Sequence, residues 1–446
     1  MLPGENAALP TEGPWLPMDH PQRYLLSDEV HSRPPEALEA PLRASHIAVV
    51  IAPERRAIEI AHLARLCSLL GLPEPALDAT HFTADLVWGR LKWERHGEFS
   101  SYTFFAPGAE SSPFADAAVT LLPRDWVAGI PGETIVAAHA VLLSSSEAQL
   151  DPAALPSLFD GNPVTGAALG GGAGMAYADF KIHGDGFSRF LVVSLNFTQR
   201  QAGRMIQRLF EIETYRMMSM LAFPLAREQT AVIGSVERSL ASLTDDIAGQ
   251  GIADERLLQK LTNLAAEVER CLVKGQFRFG ACQAYHALVL RRIAELREQR
   301  LPGFQSVEEF MVRRFTPAVA TCASIAQRLH DLSERVAQAS ALLSTRVDIA
   351  RAQQNHRLLE SMNRRARLQL RLQQTVEIIS VIPITYYVVG LVGYLFKALR
   401  AAGSHFEPEM AEGVALPIVA GLVIWVVRRA HRKVAGGEKA SEQWEL

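Results

Sequence analysis

The sequence has few cysteines, no imbalance of charge and no recognisable catalytic signature, and each shortage closes off a class of protein. Its four cysteines (Cys67, Cys271, Cys282 and Cys322) are scattered, with no CxxC pair among them. That distribution argues against a disulfide scaffold or a zinc ribbon and suits a reducing compartment. A net charge of −3 over 446 residues offers no general attraction to nucleic acid. The opening MLPGENAALPTEGPW lacks a basic stretch followed by an apolar core, so no signal peptide is expected and the body is placed in the cytosol. There is no Gly-x-Ser-x-Gly, no His-Glu-x-x-His and no dinucleotide fingerprint. The glycine-rich run Gly161–Gly174 lacks the Lys and Ser/Thr of a phosphate-binding loop, and reads as a flexible loop. No cofactor is implied.

What is present is concentrated at the C-terminal end. From Ala318 to Ile382 there are 65 residues without Gly or Pro. A continuous helix of that length would reach roughly 95–100 Å. Leu329, Leu332, Val336, Ala339, Leu343, Val347 and Ala350 repeat at alternating spacings of three and four, a heptad-like seam that must pack on other helices of the chain or on copies of itself. Residues 378–396 then carry no charge and suffice to span the roughly 30 Å hydrocarbon core. Residues 413–427 form a second, shorter apolar segment, with Arg428, Arg429, Arg432 and Lys433 after it. Arg364, Arg365, Arg367 and Arg371 precede the first segment, whereas the connecting loop sets Lys397 and Arg400 against Glu407, Glu409 and Glu412. The positive-inside rule places both termini in the cytosol and that loop outside. Neither span contains an acidic residue, which gives no support to a proton relay. Thr385, Tyr386 and Tyr387 sit near mid-depth of the first span. Their hydroxyls need partners there, either as an interhelical seam or along a path.

The remainder divides into three parts. Residues 1–44 hold eight prolines and read as an extended arm. Its polar residues His20, Asp28, Glu29, His31 and Arg33 are a candidate site, with metal ligation weighed against pinning of the arm to the next domain. Residues 45–197 read as a mixed or antiparallel α/β domain of about six strands. His46–Ala52 is a buried strand candidate, followed by a helix over 53–70 that Gly71 stops. Leu86–His96 with Glu98–Phe105, and Tyr177–His183 with Phe187–Leu195, have hairpin alternation; Glu133–Leu143 is a further strand. His81, His96 and Glu98 accompany the first hairpin and are read as hydrogen-bonding residues of the sheet. Residues 198–377 are helical, with predicted helices over 199–223, 225–248, 253–274, 276–299 and 306–374. Ser306 and Glu309 form a capping box for the last of these, and Pro317 is a candidate kink. Glu211, Glu213 and Arg216 suggest an ion pair on the first.

Several strings carry a resemblance: HPQRYLLSDEVHSRPPE at 20–36, APLRASHIA at 40–48, ERHGEFSSYTFF at 94–105, FKIHGDGFSRFLV at 180–192, QRLFEIETYRMMSML at 207–221 and ITYYVVGLVGYLFKAL at 384–399. Together the chain resembles a bacterial family of uncharacterised membrane-anchored proteins, a domain-of-unknown-function family. The resemblance implies a cytosolic body with two C-terminal transmembrane helices, and carries no catalytic residue with it. In layout alone the chain is similar to the CorA-type divalent-cation channels. The Gly-Met-Asn tripeptide of that family is missing after the first span, where this sequence reads Phe396-Lys397-Ala398-Leu399-Arg400.

The combined expectation is an α+β membrane protein. It has an N-terminal α/β domain, a long-helix bundle or coiled-coil stalk, and a C-terminal two-helix transmembrane hairpin formed by 378–396, the external loop 397–412 and 413–427, with a cytosolic tail from 428. It is expected to be a non-enzymatic homo-oligomer of the bacterial inner membrane, with a cytosolic body for partner binding or membrane organisation, the lipid bilayer as its partner and no nucleic acid. The alternative is a CorA-like cation channel in which the loop glutamates attract a divalent cation.

Overall fold

The computed structural model describes residues 17–24, 26–27, 34–109, 113–146, 155–249, 253–403, 410, 413–426 and 429. The chain forms two compact units, 1–340 and 341–446.

The first unit is built on a mixed nine-stranded sheet. In chain order the strands are β1 (Leu42–Val50), β2 (His81–Leu86), β3 (Gly89–Arg95), β4 (Phe99–Pro107), β5 (Glu133–Ser144), β6 (Thr165–Leu169), β7 (Gly174–Ala178), β8 (Ser188–Ser194) and β9 (Gln299–Arg300). Their spatial order is β2-β3-β4-β1-β5-β8-β7-β6-β9. Among the paired strands only β5 and β8 run parallel; the other ladders are antiparallel. Strands β3 and β4 realise the first predicted hairpin, with Trp93 opposite Tyr102.

Residues on β1, β3 and β4 alternate between two very different environments. Ile47, Val49, Leu91, Trp93, Tyr102 and Phe104 point into an apolar core. That core is closed by Ile60, Leu63 and Leu66 of α1 (Arg56–Leu70) and by Trp126 of α2 (Arg124–Ala128). A second apolar cluster, with Val141, Leu191, Val193 and Tyr177, gathers Leu155 and Phe159 around α3 (Leu155–Leu158).

The glycine-rich run is ordered, which corrects the flexible-loop reading. Its centre is strand β6, and Gly170, Gly171 and Gly172 turn the chain into β7 at φ of 62°, 74° and 92°, which glycine adopts without steric cost. Gly166 is small because the Tyr177 and Phe304 rings lie on it; a Cβ there would stand about 3 Å from both. Small residues here serve close packing.

Helices α4 (Gln199–Met220), α5 (Ala222–Ala248) and α6 (Asp254–Leu296) follow. Thr198 and Gln201 cap the start of α4 reciprocally. Two predicted helices, 253–274 and 276–299, are one: α6 runs through Gly275. An interior glycine costs only about 1 kcal/mol. Here it makes room, since a Cβ would meet the Phe279 ring at 2.6 Å and Gln229 of α5 at 3.3 Å. Ser306 caps a short helix, α7 (Val307–Arg314), and the chain restarts as α8 (Thr316–Ala401). Pro317 lies in the first turn of α8, where its missing N–H costs nothing. The seam residues Leu329, Leu332, Val336 and Ala339 are buried in this unit, with Val336 facing Leu258, Leu261 and Val268 of α6 across a shallow cleft.

The second unit holds the rest of α8 and helix α9 (Gly413–Val426). Residues 379–401 of α8 are long and apolar enough to cross a membrane, whereas α9 is shorter. Pro383 is accommodated inside α8 without ending it.

Candidate functional site

Helix α4 lies over the face of the sheet opposite to α1, and between them is a cavity of about 290 Å³. Its sheet wall is formed by His46 of β1, Lys92 and Glu94 of β3, and Phe99, Ser101, Thr103 and Phe105 of β4. These alternate with the core residues, as strand geometry requires. The helix wall is formed by Gly203, Ile206, Gln207, Phe210, Glu211, Thr214 and Tyr215, which recur every three or four residues along one stripe of α4. His96 after β3, Arg292 of α6 and Glu36 of the arm complete the lining.

The arm is tied down at this rim. Lys92 Nζ donates to the Pro34 carbonyl at 3.1 Å, Arg90 pairs with Glu36, and the Leu38 amide donates to the Gln199 carbonyl at 3.0 Å. Gly203 permits the approach, because a Cβ there would collide with the Glu36 carbonyl oxygen.

Charges in the cavity are matched locally. Lys92 Nζ and Glu94 Oε1 are 3.0 Å apart. Glu211 pairs with Arg292 and accepts from Gln207 at 2.8 Å. Burial nevertheless raises the Glu211 carboxyl above its usual range, against the pull of Arg292 and Gln207. His46 is bracketed by hydroxyls, with Nδ1 2.8 Å from Thr103 Oγ1 and Nε2 3.2 Å from Thr214 Oγ1, and it stacks on Phe210 with centroids 4.8 Å apart. Burial, reinforced by His96 and Lys92, lowers its pKa to about 3.

That shift has a sign. In the unfolded chain His46 protonates below its ordinary pKa of 6.5, while in the fold it stays neutral down to about pH 3. The unfolded state therefore binds the extra proton, and stability falls with falling pH through this window. His46 alone is expected to cost about 3 kcal/mol between pH 6.5 and pH 4. Urea unfolding at pH 7, 5.5 and 4 checks this, and His46→Gln should flatten the acid limb by up to about 1.4 kcal/mol per pH unit.

The residues singled out from the sequence are placed as follows. His20 is exposed, its Nδ1 accepting from the Gln22 amide at 3.2 Å, and Arg23 pairs with Asp19. Asp28, Glu29, His31 and Arg33 lie outside the described residues, as do Glu407, Glu409 and Glu412. Thr385 is buried, and its hydroxyl donates to the Val381 carbonyl of its own helix at 2.7 Å. Tyr386 and Tyr387 are exposed on α8, their rings 5.9 Å apart. His96 borders the cavity, stacked on Phe99. Glu98 pairs with Arg278 of α6, and Glu213 with Arg216 at 2.7 Å. Among the described residues no group of three or more His, Cys, Asp or Glu side chains could hold a metal ion. Sequence reasoning did not pick out His46, Lys92, Ser101 or Thr103. Their signal is the polar phase of the alternation in β3 and β4, visible once the apolar phase is assigned to a core.

No curated protein matches the chain. Among solved structures, the full-length CmaX protein is similar at 14% identity, over 69% of this chain and 92% of that one, with a TM-score of 0.20. So low a score lends no weight to a shared arrangement. Residues 18–434 match the family described as "protein of unknown function (DUF3422)", and the chain belongs to that family.

Proposed function

We propose that the protein is a non-enzymatic, membrane-anchored component of the bacterial inner membrane, held by a hairpin of α8 and α9 with both termini cytosolic. The observation that carries this reading is the exposure of an uncharged apolar helix. Only 11% of the most apolar window in Ile379–Ala401 is buried, and Ile379, Ile382, Leu391 and Leu395 are each at least 60% exposed. A core helix of a soluble protein would hide those side chains, and water would charge about 25 cal/mol for every Å² of them left bare. Helix α9 exposes Val414, Leu416, Ile418, Leu422 and Trp425 in the same way.

The residues that are covered also fit. On α8 they include Thr385 and Gly393, eight residues apart on one stripe; on α9 Val423 is buried and Val419 half-buried. One shielded stripe on each helix is what a packed pair leaves when lipid covers the rest. Lys397 lies over Tyr394 and Arg429 over Trp425, aromatic and basic anchors suited to the interfaces. Homo-oligomerisation is favoured by Leu358, Leu359, Met362 and Leu368, apolar side chains exposed on α8 ahead of the span.

The test is topology in cells. A fluorescent protein fused after Leu446 should fluoresce, and alkaline phosphatase inserted between residues 404 and 409 should be active. A fluorescent C-terminal fusion combined with inactive phosphatase in the loop, in a protein washed from membranes at high pH, would overturn the hairpin. Steady cation flux through the purified protein in liposomes would favour the channel reading instead.

A further inference from the structure

The cavity under α4 occupies the space between two structural layers. In a domain of this kind that space is filled with aliphatic side chains, because packing density and burial both favour it. On the α1 side of the same strands it is so filled. On the α4 side the wall presents Lys92, Ser101, Thr103 and His46, each 7% exposed or less. Protein partners hold His46 and Lys92 in place, Thr103 and Thr214 for the first and Pro34 and Glu94 for the second, so the wall is a built polar surface where an aliphatic filling would stand. The polarity cannot be assigned to a solvent-facing sheet surface, because α4 covers it.

The pattern of charge narrows the class of occupant. The sheet wall holds the pair Lys92–Glu94, the helix wall holds the pair Glu211–Arg292, and at the rim Glu36 is neutralised by Arg90. An occupant bearing only negative charge would approach Lys92 and Arg292 but would be met by Glu94 and Glu211. One bearing only positive charge meets the reverse. A compound with an ammonium and a carboxylate on the same carbon can place each group against its opposite. The volume of about 290 Å³ lies just below the range of drug-sized ligand clefts, about 300 to 1,000 Å³. That admits a small molecule with one short side chain, and Phe99, Phe105 and Phe210 give the side chain an apolar surface.

We infer that the cavity between the sheet and α4 binds a free α-amino acid, its ammonium between Glu94 and Glu211 and its carboxylate on Lys92 and Arg292. This site lies wholly within the first unit and does not depend on how the protein is anchored.

The full-length protein in detergent micelles is to be unfolded thermally in the presence of each of the twenty L-amino acids in turn. At least one should raise Tm by about 2 °C or more through selective binding to the folded state. For that compound, calorimetric titration is repeated with its deaminated acid and its decarboxylated amine. Both should bind at least tenfold more weakly. Glu211→Gln, nearly isosteric, should weaken the amino acid at least tenfold. Ser101→Leu, which fills the cavity with an apolar side chain, should abolish binding while the circular dichroism spectrum stays that of the parent. The inference is overturned if none of the twenty shifts Tm and none gives a calorimetric signal, if either singly charged analogue binds as tightly as the amino acid, or if folded Ser101→Leu binds like the parent.

Discussion

Leu391→Arg is expected to move most of the protein from the carbonate-resistant membrane fraction to the soluble or aggregated fraction. Leu391 is 67% exposed and stands near the middle of the Ile379–Ala401 stretch. At the centre of the proposed span a leucine favours insertion by about 0.5 kcal/mol and an arginine opposes it by about 2.5–3.5 kcal/mol. The swing of about 3 kcal/mol is a factor of more than ~100 in partitioning, since about 1.4 kcal/mol is tenfold. Leu391→Phe keeps the apolar character and should leave membrane retention unchanged. Replacing Lys397 by Ala, at the interface end, should also have little effect, since a lysine there can reach water. Retention of Leu391→Arg at the parental level would show that this part of α8 does not sit in hydrocarbon.

The second large effect belongs to the other side of the sheet. Glu59 of α1 is fully buried. Its Oε1 accepts from Trp93 Nε1 at 2.8 Å and from the Tyr102 hydroxyl at 3.0 Å, and Arg95 Nη2 stands 3.7 Å from Oε2. The guanidinium of Arg95 also lies over the Trp93 ring. Burial and the neighbouring carboxylate push the Tyr102 hydroxyl well above its usual range, so it remains a donor at any physiological pH. Glu59→Ala removes the buried acceptor of two donors and the carboxylate facing Arg95, and is expected to cost about 3–5 kcal/mol. In a unit of this size that is a fall in Tm of about 4–7 °C. Glu59→Gln keeps an acceptor for Trp93 and Tyr102 and should lose less than half as much. Denaturation of both variants and of Arg95→Met separates the hydrogen bonds from the charge pair. Equal losses for Glu59→Ala and Glu59→Gln would show that the hydrogen bonds from Trp93 and Tyr102 contribute nothing to stability.

These two residues also mark what could be read from the sequence. The apolar stretch of α8 announces itself, because a run without charge is a property of neighbours in the chain. The β3–β4 hairpin was legible for the same reason, through the alternation of Leu91 and Trp93 with Lys92 and Glu94. Glu59 was not, since its partners come from two strands more than thirty residues away and only the fold brings them together. Strand β6 was hidden by composition: Thr165–Leu169 is small and glycine-bearing because aromatic rings lie on it, and composition alone reads that as a loop. The continuity of α6 through Gly275 was hidden likewise, because the compensating contacts come from α5 and from the next turn. The cavity was half visible. Its residues were in plain sight as the polar phase of two strands, but nothing in the strands says that a helix closes over that phase.

The pairing of β6 with β9 sets a timetable for synthesis. Ala167 bonds across to Arg300, so one margin of the sheet waits for a segment made after α4, α5 and α6. At about 5–20 residues per second the ribosome needs several seconds to deliver it. Throughout that interval β6 is a bare edge on an otherwise assembled sheet, the kind of surface on which nascent chains stick to one another. The shortness of β6 and its Gly and Ala content make it a poor template for such pairing. The same thrift that hid the strand from a reader of the sequence shields it from its neighbours on the polysome.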